Sequence, residues 1–169
     1  IAMQIHNGRV LEGDNLILMQ DLVNEGVEVD LIYVDPPYGI KVDEKFGMPS
    51  WNSLNKPKNR VDEIINVGLL CSKGECNYLR WLYPRLVLMR KLLSEKGSIY
   101  LHIDWHVGHY VKLMMDDVFG KDKLINEIIW DKGFRGTESQ AKYQNSHDTI
   151  FFYSKNYKNY IWNQEYQPY

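Results

Sequence analysis

Asp35-Pro36-Pro37-Tyr38 concentrates the chemistry of this chain. Two consecutive prolines remove two backbone donors and fix two φ angles, so the loop offers carbonyl oxygens in a preset direction. Asp35, ionised, only accepts hydrogen bonds. Tyr38 adds a flat π-face on which a planar heterocycle stacks for roughly 1–3 kcal/mol. Together the four residues describe a cradle for a base that carries an exocyclic NH2.

Such a cradle has to be held by regular structure. The run Val29 to Val34, apolar apart from Asp30, reads as a buried parallel strand, and in open α/β sheets ligands bind where such strands end. Before it, Asp14 suits the N-cap of a helix whose Leu16, Met19, Leu22 and Val23 fall on one face. After it, residues 39–60 read as a long irregular loop, expected to be mobile, in which Lys56, Lys58 and Arg60 are candidate phosphate contacts. Tyr78 to Glu95 carries a helical stripe of Leu79, Leu82, Leu86, Met89, Leu92 and Leu93, closed by Lys96-Gly97. Pro84 inside this stripe predicts a kink or break near Leu82, and Arg80, Arg85, Arg90 and Lys91 read as a solvated face.

Ser98 to Ile103 is the next strand. Alternation puts His102 and Asp104 on one side near its end, and with no third ligand in view a pocket-lining role is expected rather than a metal. Tyr110, Leu113, Met114, Val118 and Phe119 form a further helical face closed by Gly120. Leu124 to Trp130 and Asp148 to Tyr153 are strands able to form a hairpin. The order of elements gives an α/β sheet that is parallel first and ends in an antiparallel pair.

Composition bounds the partners. The 169 residues are the size of one domain, and 20 Lys and Arg against 22 Asp and Glu give a net charge of -2. No global positive field advertises nucleic acid, so any DNA contact must use a local basic face. Cys71 and Cys76 fit neither a disulfide framework nor a zinc site, which suits a reducing cytoplasm. Neither cysteine follows a proline, so this sequence holds no Pro-Cys nucleophile. No run approaches the ~20 apolar residues of a membrane span, and no signal-peptide layout opens the chain.

Asp35-Pro36-Pro37-Tyr38 at a strand end resembles the catalytic signature of the amino-methylating DNA methyltransferases, in the adenine-specific members where it precedes the glycine motif. The resemblance implies a Rossmann-like methyltransferase sheet and S-adenosylmethionine as cofactor, with double-stranded DNA as substrate. It implies a catalytic role for Asp35, Pro36, Pro37 and Tyr38, and cofactor contacts from Asp35 and from Asp14 within Gly13-Asp14-Asn15-Leu16. In the family layout the segment before the last strand faces DNA, which makes Lys132, Arg135 and Lys142 further candidate contacts and 132–169 the expected start of a recognition region.

The family's glycine-rich cofactor segment is not in this sequence. One incomplete catalytic domain, inactive by itself, is therefore expected, completed by a homodimer or by a second chain carrying that segment. Adenine-N6 methylation is the expected activity. Cytosine-N4 methylation and a non-catalytic DNA-binding subunit are the alternatives.

Overall fold

A computed structural model describes residues 8, 10–37, 73–133, 143 and 145–164, with 73–77 described by backbone only. Helix α1, Asn15–Asn24, starts where its cap predicts: Asp14 is in extended backbone and its Oδ1 accepts from the Leu16 N–H at 2.9 Å. Strand β1, Val29–Val34, follows, and Asp30, its one ionisable residue besides Tyr33, accepts from the Ser94 hydroxyl at 2.6 Å.

Helix α2 runs from Lys73 to Leu92 and passes through Pro84. The expected break near Leu82 is therefore corrected. An interior proline costs about 3 kcal/mol, whereas Leu79, Leu82, Leu86 and Met89 are all buried at about 1.5–3 kcal/mol each, so packing of the stripe outweighs the lost backbone bond. The end of this helix also differs from expectation. Strand β2, Leu93–Ile103, begins directly after Leu92, so the four residues before Gly97 are strand and not a last helical turn. Gly97 then serves as a point of close approach: a Cβ there would lie 3.0 Å from the Val29 carbonyl oxygen.

Helix α3, Gly108–Phe119, ends at Gly120, whose φ of +102° is a conformation that favours glycine. A short 3-10 turn leads into β3, Leu124–Asp131, and β4 is His147–Ser154. The strand order is β1-β2-β4-β3. β1 and β2 are parallel with Val34 opposite Leu101, while β2/β4 and β3/β4 are antiparallel. The sheet is thus mixed, parallel across the first crossover and closed by the antiparallel pair foreseen from the sequence.

The core lies on one face, where Ile99, Leu101, Ile103, Phe151 and Tyr153 meet Leu82 and Leu86 of α2 and Val111, Met114 and Met115 of α3. Two buried or half-buried hydroxyls tie this layer together: Tyr83 donates to Asp117 and Tyr153 donates to Asp116 at 2.6 Å. Burial first, then the Asp116 carboxylate, pushes the Tyr153 phenol far above its ordinary range, so it stays a donor. The opposite face is aromatic, with Tyr100 stacked on Phe152 at 4.3 Å between ring centres and Trp162 beyond it.

Arg85 is buried, which corrects its reading as part of a solvated face; Arg90 and Lys91 are exposed as expected. Its Nε donates to Asn15 Oδ1 at 2.8 Å, Nη1 to the Trp81 carbonyl at 2.8 Å and Nη2 to Asp14 Oδ1 at 3.2 Å. The guanidinium also lies 4.2 Å from the Trp81 ring centre. One side chain therefore fastens the start of α1 to the middle of α2.

Candidate active site

β1 delivers Asp35 to the carboxyl end of the sheet. Asp35 is exposed, Pro36 is buried and Pro37 half-buried, so the first proline anchors the turn. Tyr38 lies outside the described residues, as do Lys56, Lys58, Arg60, Arg135 and Lys142. Asp14 is described, and its side chain is 53% exposed although it caps α1. Both of its contacts fall on Oδ1. The cap role and an acceptor role for Oδ2 are thus compatible.

Register carries the neighbouring groups to the same end. Because Val34 pairs with Leu101, the residues just after it lie beside His102, Ile103 and Asp104. Since β4 runs antiparallel to β2, its first residues, His147 and Asp148, arrive there too.

His102 and Asp104 do not share a partner. Asp104, buried, accepts from the His106 backbone N–H at 3.2 Å and from His106 Nδ1 at 2.6 Å, while the His106 ring stacks on Trp105. His102 turns instead across the sheet, with Nδ1 3.2 Å from the Tyr33 hydroxyl and Nε2 3.3 Å from Asp148 Oδ2. Among the described residues no cluster of three His, Cys, Asp or Glu is arranged to hold a metal ion.

Asp148 takes a second contact from Lys132, whose ammonium donates to Oδ1 at 2.7 Å. Burial by itself pushes the Asp148 carboxyl up. The hydrogen bond and charge of Lys132, followed by those of His102, outweigh it and hold the group below the ordinary carboxylate range. Lys132, expected to face DNA, is three-quarters buried and engaged in this pair, and its backbone N–H donates to the Ser146 carbonyl at 2.7 Å. Sequence reading missed the Tyr33, His102, Asp148 set. The available signal was two polar residues set at the ends of otherwise apolar strands.

A mixed sheet that ends its parallel strand in Asp-Pro-Pro, with an antiparallel pair alongside, is the arrangement that the resemblance to the DNA amino-methyltransferases implies. The chain belongs to the N6_N4_Mtase DNA methylase family, whose model matches residues 29–169. It is 32% identical over 151 residues to the type II methyltransferase M.EcaI of Enterobacter cloacae, covering 89% of this chain and 30% of that protein. It is 30% identical over 158 residues to the Mod subunit of the type III restriction-modification enzyme EcoPI of Escherichia phage P1, covering 87% of this chain and 24% of that one. The chain therefore spans roughly a quarter to a third of these relatives' length. In fold it is similar to M1.HpyAVI in its SAM complex, with a TM-score of 0.58 at 14% identity over 95% of this chain and 61% of that one.

No helix among the described residues is long and apolar enough to cross a membrane.

Proposed function

We propose that this chain carries the target-base site of an S-adenosylmethionine-dependent DNA methyltransferase that acts on adenine N6. The observation that carries the reading is the turn itself: an exposed Asp35 followed by a buried Pro36, at the carboxyl end of a parallel strand. The described residues fit the cofactor, since the half-exposed Asp14 side chain has both its contacts on Oδ1, leaving Oδ2 to accept from an adenine amino group, and Asp35 lies one helix and one strand further on. When bound, the cofactor supplies an electrophilic methyl group.

The target adenine leaves the duplex stack, at a cost of a few kcal/mol, and stacking on Tyr38 offsets part of it. Asp35 and the Pro36 carbonyl accept the two amino hydrogens. These contacts draw the nitrogen lone pair out of conjugation and stabilise the positive charge that grows on nitrogen as it becomes a nucleophile. No covalent bond to the protein forms, and the proton leaves the nitrogen after transfer, so Asp35 need not be a strong base. A homodimer or a second chain is a proposed partner, and the cytoplasm the proposed place of action.

Asp35→Ala in the active methyltransferase should abolish methyl transfer and leave DNA affinity largely intact, with the product nucleoside identified after digestion. Substantial retained turnover would remove Asp35 from the chemistry. N4-methylcytosine in the digest would correct the base.

A further inference from the structure

We propose that Tyr33, His102, Asp148 and Lys132 act as one positioning unit that fixes the end of β1, and with it the Asp35-Pro36-Pro37 turn, against β2 and β4. Its consequence for turnover rests on the methyltransferase reading above; its geometry does not.

The contacts form a continuous path across β1, β2 and β4 to the residue that follows β3. Tyr33 stands on β1, His102 on β2, Asp148 on β4, and Lys132 directly follows β3. Register places them on the face opposite the helices, because Tyr33 pairs with Tyr100, His102 with Ile150 and Asp148 with Trp130. Burial deepens along the path, from Tyr33 at 60% exposed to the His102 side chain at 14% and that of Asp148 at 7%. A carboxylate so buried persists only when its lone pairs are matched, and here Lys132 takes Oδ1 and His102 takes Oδ2.

Asp148, ionised, only accepts, so His102 Nε2 carries a proton and donates it to Oδ2. The Tyr33 hydroxyl and Nδ1 make the second contact, in which the hydroxyl can donate or accept. Tyr33 is the next-to-last residue of β1 and Asp35 the first beyond it, with Val34 between them packed against the core. Docking the Tyr33 phenol on His102 thus sets the pleat immediately before the turn. At its far end the path reaches the base of the β3–β4 connection, where the Lys132 N–H meets the Ser146 carbonyl. Reactive geometry is sensitive to such support, since a displacement of ~1 Å costs on the order of 100-fold in rate.

In the purified protein, 15N NMR of His102 should show Nε2 protonated, and Asp148→Asn should shift that resonance. In steady-state methylation, Tyr33→Phe, which removes one hydroxyl from an exposed ring, should lower kcat about tenfold and leave KM for DNA and cofactor within about twofold. His102→Leu should lose at least as much, and His102→Gln, which keeps an N–H near the Nε2 position, should recover part of it. A bare Nε2 would overturn the donation to Asp148. Unchanged kcat in Tyr33→Phe, or a loss confined to KM, would overturn the positioning role. If the completed methyltransferase, with the glycine-rich cofactor segment supplied, transfers no methyl group, the methyltransferase reading fails separately. The Asp35 amide resonance then decides, for it should shift in Tyr33→Phe and stay in place in Leu113→Ala, an exposed change on α3; an unmoved resonance refutes the positioning.

Discussion

Replacing Lys132 with methionine removes the ammonium from the buried Asp148 carboxylate and keeps most of the side-chain volume. The pair is 2.7 Å long, with Asp148 at 7% exposure and Lys132 at 24%. A hydrogen bond to a charged group contributes about 1.5–3 kcal/mol, and breaking a fully buried pair costs about 3–5 kcal/mol. His102 remains on Oδ2, and the partial exposure of Lys132 lets water reach the vacated Oδ1, so the lower range applies and a loss of about 2 kcal/mol is expected. For a chain of this size that is a fall in Tm of roughly 4–8 °C. The pH dependence has a definite sign. Asp148 titrates lower in the folded protein than its ordinary value of about 3.9, so its contribution is fully present above that value and disappears as pH falls through the depressed folded pKa. Urea unfolding of parent and Lys132→Met across this range should give curves that differ at neutral pH and converge in acid. A difference below about 0.5 kcal/mol at pH 7, the size of an ordinary surface change, or one that survives protonation of Asp148, would refute this account of the pair.

Three other perturbations probe separate parts of the molecule. Tyr153→Phe should cost about 1.5–3 kcal/mol in chemical denaturation, because a fully buried hydroxyl loses its bond to Asp116. Gly97→Ala should destabilise by about 1–3 kcal/mol, since the added methyl meets Leu93 Cδ2 at 2.9 Å and the Val29 carbonyl at 3.0 Å; a neutral effect on Tm would show that β1 and β2 can separate there without penalty. Neutralising Lys56, Lys58 and Arg60 together should flatten the plot of log affinity for DNA against log salt by about 0.9 for each phosphate that is no longer paired with a cation, and an unchanged slope would exclude this stretch from DNA binding.

Local signals in the chain are reliable where local physics decides the outcome. Asp14 caps its helix and Gly120 closes α3 as their types and spacing require, while Val29 to Val34 forms the expected parallel strand but at the edge of the described sheet, half-buried rather than buried. Asp35 at a strand end is legible for the same reason. Pro84 misleads because its effect is local while the burial that overrides it is tertiary. The boundary at Leu92/Leu93 is hidden because leucine serves a helical stripe and a buried strand equally well. Arg85 and the His102–Asp148 pair escape notice because their partners lie 46 to 71 residues away, beyond any periodicity a sequence window contains.

The guanidinium of Arg85 also bears on how this chain can vary. Three of its donors are engaged by Asn15, the Trp81 carbonyl and Asp14, in a planar fork that a lysine ammonium does not reproduce. A lysine at this position would keep the charge and still release the start of α1 from α2, so the position is restricted by shape more than by charge.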